Sequence, residues 1–116
     1  MTDKTAPAQI CRDLEPGECR RFLEAEGRDD CAVLDVRTPE EYRGGHLQGA
    51  SNLDFFRPDF PGSLAGLDRK KKYVVYCRKG TRGARTMELM RQQGFSHVTN
   101  IRGGYDRWVS EGHPVE

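Results

Sequence analysis

The stretch Cys77-Arg78-Lys79-Gly80-Thr81-Arg82-Gly83 sets one thiol among three cationic side chains and two glycines. A thiol acts as a nucleophile through its thiolate, so the neighbours decide what Cys77 can do. On its N-terminal side, Tyr73-Val74-Val75-Tyr76 is an unbroken β-branched and aromatic run, the pattern of a strand buried on both faces of a parallel sheet. On its C-terminal side, Ala84 to Gln93 is rich in helix formers and is followed by Gly94, in the position of a C-terminal cap. The cysteine therefore falls where a strand gives way to a helix. There the first helical amides lack internal partners, and a tight loop can turn its amides inward as an anion-binding nest. Gly80 leaves the backbone free to curl, while Arg78, Lys79 and Arg82 add positive charge. Cysteines in such settings ionise at pKa values of roughly 3.5–7.5 instead of about 8.5. Cys77 is accordingly expected to be a nucleophilic thiolate at neutral pH. The competing reading is a buried structural cysteine, but the six residues that follow are polar, charged or glycine, a composition that a core does not absorb.

Other side chains with chemical potential are assigned to architecture. Asp35, Arg37 and Glu41 surround a strand end and a capping box, which predicts an ion-paired brace rather than acid–base groups. His46, in the turn that follows, is read the same way, although that turn could bring it to the mouth of a pocket. Cys11, Cys19 and Cys31 complete a set of four cysteines with no C-x-x-C pair and no zinc-type spacing. Neither a metal site nor a disulfide framework is expected. Cys19 shares a helical face with Phe22 and Leu23, which places it in the core. The glycine pairs Gly80/Gly83 and Gly103/Gly104 match no dinucleotide or phosphate-loop fingerprint, so nucleotide binding has no support.

The elements that must position the loop follow from the punctuation of the chain. Ala8 to Cys11 is a short candidate strand, a helix begins near Pro16 and ends at Gly27, and Cys31 to Val36 is the next strand. Thr38-Pro39-Glu40-Glu41 reads as a capped helix start, cut short by Gly44-Gly45. Ser51 to Asp54 is a weak strand. Phe55 to Asp68, interrupted by Pro58, Pro61, Gly62 and Gly66, cannot be a continuous helix or strand, and its aromatics are expected to cover the sheet or wall a site entrance. Val98 to Ile101 supplies a fifth strand. Gly103-Gly104 then opens a last helix with Tyr105, Trp108 and Val109 on one face, stopped by Gly112-His113-Pro114. The alternation predicts an α/β domain over residues 8–116, with a parallel five-stranded sheet and helices on both faces, after a polar, flexible leader over residues 1–7. In such sheets ligands bind at the carboxyl ends of strands beside helix N-termini, where Cys77 lies.

A chain of 116 residues encloses one core rather than two. With 19 basic against 18 acidic residues there is no global field to draw in nucleic acid or a membrane surface. The run Arg69-Lys70-Lys71-Lys72 reads as a solvated approach to the strand after it. No apolar stretch has the length of a secretory signal or a membrane span, and a cytoplasmic, reducing setting is expected.

Together with the loop, Asp35-Val36-Arg37-Thr38-Pro39-Glu40-Glu41-Tyr42, Gly45-His46-Leu47-Gln48-Gly49-Ala50 and Gly103-Gly104-Tyr105-Asp106-Arg107-Trp108 resemble, in content and order, a single-domain rhodanese, a thiosulfate-type sulfurtransferase. The resemblance covers nearly all of the chain from about Ala8 onward. It implies a rhodanese-like three-layer sandwich and transfer of a sulfane sulfur, through a persulfide on Cys77, from thiosulfate or a similar donor to cyanide, a small thiol or a protein acceptor. It also implies donor contacts from Arg78, Lys79, Gly80, Thr81, Arg82 and Gly83, with no metal and no cofactor. Arg78-Lys79-Gly80 resembles the basic loop of thiosulfate users rather than the neutral Gly-Ser-Gly of mercaptopyruvate sulfurtransferases. Gly83 departs from the serine often found at that place. Two alternatives stand beside this reading: a sulfur-relay or regulatory docking module for a protein partner, and a phosphatase or arsenate reductase of similar fold. Those phosphatases separate cysteine and arginine by five residues, where this chain has only Arg78, Lys79, Gly80 and Thr81 between Cys77 and Arg82.

Overall fold

A computed structural model describes residues 8–27 and 29–116. The expected leader over residues 1–7 lies outside the described residues. Five parallel strands form one sheet: β1 (Ile10–Leu14), β2 (Cys31–Asp35), β3 (Ser51–Asn52), β4 (Lys72–Tyr76) and β5 (His97–Ile101), in the order β1-β5-β4-β2-β3. Strand β4 is central, which is why Val74, Val75 and Tyr76 are all fully buried and why its sequence shows no polar alternation. Among the described residues there are five helices: α1 (Pro16–Glu26), α2 (Pro39–Arg43), α3 (Phe60–Ala65), α4 (Thr81–Gln92) and α5 (Gly104–Ser110).

The helices lie on both faces, as the alternation predicts. On one face, Phe60 and Leu64 of α3 and Met90 of α4 close over Leu34, Val75 and Val98. On the other, Cys19 of α1 and Trp108 of α5 close over Val33, Val74 and Ile101. Burying each such aliphatic or aromatic side chain contributes about 1.5–3 kcal/mol, so these two apolar layers hold the three-layer sandwich together. Among the described residues no helix is long and apolar enough to cross a membrane.

Several boundaries differ from the expectation. Strand β1 starts at Ile10 and continues through Arg12 and Asp13 to Leu14, because it is an edge strand whose limits come from pairing with His97 to Ile101 of β5, not from apolar content. The segment 55–68 contains α3, with Pro61 in the first turn, where a missing amide costs nothing. Val109 is 45% exposed and does not share the buried face of Trp108. Most relevant to the site, α4 begins at Thr81 and not Ala84, so the second half of the cysteine loop is already the first turn of a helix.

Candidate active site

Cys77 is the residue after β4 and is only 1% exposed, so the sulfur lies at a floor rather than on a rim. It is nonetheless held by amides. The Gly80 N–H donates to Sγ at 3.1 Å and the Gly83 N–H at 3.2 Å. These are two of the amides in the run from Arg78 to Gly83, rather than the whole run. Gly80 is the N-cap of α4 with φ +114°, a conformation open to glycine, and this kink turns its amide back toward the sulfur. Above the sulfur is a cavity of about 230 Å³ lined by Cys77, Arg78, Lys79, Thr81 and Arg82. Amides converging at the head of a helix make an anion-binding geometry. Burial and amide contacts, set against each other by sequence reasoning, coexist here.

The last helix fixes the loop from above. The Tyr105 N–H donates to the Cys77 carbonyl at 2.8 Å and the Asp106 N–H to that of Arg78 at 3.0 Å. The Cys77 and Arg78 carbonyls are thereby tied to α5. The approach is so close that a Cβ on Gly104, which has φ +64°, would lie 2.5 Å from the Cys77 carbonyl oxygen. Under the loop, the Asn100 side chain occupies the space where a side chain on Gly83 would go, its Oδ1 2.2 Å from that Cβ position. Asn100 Nδ2 donates to Asp13 Oδ1 at 3.0 Å, which ties β5 to β1 beneath the site.

The three loop cations are not equivalent. Arg78 Nε lies 3.3 Å from Asp106 Oδ2 in an exposed pair. Arg82 donates through Nη1 to Glu41 Oε1 at 3.0 Å and through Nη2 to Oε2 at 3.4 Å, and its guanidinium carbon lies 5.4 Å from the centre of the Phe56 ring. Lys79 enters no ion pair among the described residues, so its charge is free at the cavity wall. Glu41 also closes the predicted capping box of α2 with Thr38. Burial by itself raises its carboxyl, but the hydrogen bonds from Arg82 and Thr38 and the Arg82 charge outweigh that and bring it down to about 2.

The remaining candidates fall where sequence reasoning put them. Asp35 and Arg37 form a buried brace, Nη2 to Oδ2 at 2.7 Å, and Arg37 also donates to the Gly45 carbonyl at 2.6 Å. The Tyr76 hydroxyl donates to Asp35 Oδ2 at 2.6 Å, and burial followed by the Asp35 charge pushes its phenol well above the ordinary range. This brace locks the carboxyl ends of β2 and β4 beside the loop. His46 stacks on Tyr42 at 3.8 Å between ring centres, with Nδ1 3.0 Å from the Tyr42 carbonyl, a packing role. Cys19 and Cys31 belong to the core on the opposite face of the sheet from Cys77, and burial pushes their thiols up to about 12 and about 11. No cluster of potential metal ligands exists among the described residues. Sequence reasoning missed Asn100 and the tie of Glu41 to Arg82. No local pattern marks a contact between side chains 41 positions apart.

Residues 15–111 match the family described as Rhodanese-like domain. A sulfurtransferase of Allochromatium vinosum is 31% identical over 87 residues, which cover 75% of this chain and 79% of that protein. Protein HIGH ARSENIC CONTENT 1, mitochondrial, of Arabidopsis thaliana is 35% identical over 89 residues, 68% of this chain; the match spans about half, 53%, of that relative's length. The crystal structure of a rhodanese-related protein from Thermoplasma volcanium is similar with a TM-score of 0.78 at 28% identity, over 90% of this chain and 97% of that one. Because the family match runs from the residue before α1, through the cysteine loop, to the residue after α5, this chain belongs to the rhodanese-like domain family, in which named relatives include sulfurtransferases.

Proposed function

We propose that the domain over residues 8–116 transfers a sulfane sulfur from thiosulfate, or a similar small anionic donor, to a thiophilic acceptor through a persulfide on Cys77. The observation that carries this reading is the pair of amides, Gly80 and Gly83, aimed at Sγ on the floor of a cationic cavity. The Cys77 thiolate attacks the outer sulfur of thiosulfate, a new sulfur–sulfur bond forms, the old one breaks with its electron pair, and sulfite leaves. An acceptor, cyanide or a small thiolate, then attacks the outer sulfur of the persulfide and returns the thiolate. The amides hold the negative charge in each resting state, and Lys79, with Thr81, Arg78 and Arg82, lines the path of the donor. The basic loop supports thiosulfate over neutral-loop donors. Four residues between Cys77 and Arg82 make the loop one residue shorter than the phosphatase spacing, which counts against phosphate-ester chemistry. A reducing, cytoplasmic setting suits a chain whose cysteines are all free thiols.

Intact-mass measurement after incubation with thiosulfate tests the reading. The wild-type chain should gain a sulfur atom, lose it to cyanide as thiocyanate, and show ping-pong kinetics; Cys77→Ser should gain none. A wild-type chain that takes up no sulfur from thiosulfate or from a small persulfide, while its Cys77 alkylates readily, overturns it.

A further inference from the structure

We propose that Glu41 sets how strongly the Cys77 mouth attracts anions, by holding Arg82 in an ion pair for which an incoming anionic donor must compete. The consequence for sulfur donors rests on the sulfurtransferase reading; the electrostatic effect on the mouth does not. Three cations line the cavity above the sulfur, but their charges are not equally available. Arg82 is pinned on two sides, by both Glu41 oxygens at 3.0 and 3.4 Å and by the Phe56 ring at 5.4 Å. That ring is 65% exposed and also meets Phe55 edge-on, with 5.6 Å between ring centres. Glu41 is itself immobilised, because Oε1 also accepts from the Thr38 N–H at 3.0 Å and its hydroxyl at 3.2 Å. The Arg82–Glu41 pair is only partly exposed, with side chains 19% and 26% accessible, so solvent screens it incompletely. An anion entering the mouth therefore meets the free charge of Lys79 and an Arg82 whose charge is already matched. Glu41 is in this sense a positioning and specificity residue, distinct from the groups that touch the sulfur.

The test uses Cys77 alkylation by anionic iodoacetate and by neutral iodoacetamide, with the rate ratio as readout. Glutamine preserves the capping box with Thr38, so Glu41→Gln removes charge with little change of shape. In that variant the iodoacetate to iodoacetamide ratio should rise roughly three- to tenfold, the size Coulomb's law gives for deleting one negative charge several Å away in a partly screened cleft. The iodoacetamide rate should stay near that of the wild type, and the KM for thiosulfate should fall with kcat little changed. The double variant Glu41→Gln/Arg82→Met removes the pair as a unit and should return the ratio to within about twofold of the wild type. An unchanged ratio in Glu41→Gln, an equal change in both alkylation rates, or a several-fold fall in the double variant each overturns the proposal. The double variant carries the test should the single one fail to fold. A chain whose ratio shifts as expected but which forms no persulfide loses the sulfurtransferase reading and keeps the role of Glu41.

Discussion

At Gly83 an absent side chain is matched by a present one on the strand beneath. The space a β-carbon would need is taken by the amide of Asn100, which is buried and bonded to Asp13. The serine that the family resemblance leads one to expect at this position has no room, and the departure becomes a packing fact rather than a missing hydroxyl contact. Gly83→Ser should therefore destabilise the domain by about 1–3 kcal/mol in urea unfolding, the usual cost of overpacking a closed site. It should also slow Cys77 alkylation, because the Gly83 amide is one of the two that reach Sγ. Pairing it with Asn100→Ala should recover part of the stability, a coupling that a double-mutant cycle measures directly. The position of Cys77 between a strand and a helix was legible from contiguous residues, since strand, loop and helix start are all local signals. Asn100 and Glu41 were not legible as site residues. Their importance comes from what they touch across the sheet, and neither stands near the loop in the chain.

Among the elements, α5 does more than seal the core. Its first amides bind the Cys77 and Arg78 carbonyls, so the helix start acts as a clamp on the loop. Gly104→Ala places a methyl 2.5 Å from the Cys77 carbonyl oxygen and demands φ +64° from a residue that resists it. Sulfur transfer should fall about tenfold to a hundredfold as the loop shifts, and stability should fall by about 2 kcal/mol or more. Paired measurements of kcat and of the urea midpoint separate the two effects. The Gly103-Gly104 pair was legible as a helix opening, but its clamp on the loop was not, because the clamp depends on α5 meeting the end of β4. The same distinction runs through the fold. Helix α1 and strand β4 were readable from caps, glycines and apolar runs, whereas the extent of β1 was set by its partner β5 and the start of α4 by the geometry of the loop. The capped start of α2 was read correctly down to its reciprocal hydrogen bonds, because a capping box is complete within four residues.

At the scale of the whole molecule, balanced charge leaves stability sensitive to particular buried titrations rather than to net repulsion. The basic run leading into β4 is engaged at its two ends: Arg69 donates to the carbonyls of Gln93 and Ala65, and Lys72, the first residue of β4, pairs with Glu26 at 2.6 Å. Between that pair and Arg12 lies His97, whose Nε2 is buried without a partner. Burial, then the positive charges of Arg12 and Lys72, lower its pKa below the ordinary 6.5. A lowered folded pKa means the unfolded chain binds more protons in that window, so the contribution of His97 to stability is fully present above about pH 6.5 and is lost as pH falls through the folded value. Glu41 acts further down. Its stabilising contribution is present above its ordinary value of 4.5 and is lost toward about pH 2. Acid unfolding should therefore show an upper limb starting near pH 6.5 and a lower one below pH 4.5. His97→Met removes a group that makes no hydrogen bond through Nε2, so it should keep the stability at pH 8 to within about 1 kcal/mol. The upper limb should vanish while the lower limb stays. Urea midpoints from pH 8 down to pH 3 check this, and an upper limb that survives in His97→Met would assign it to another group.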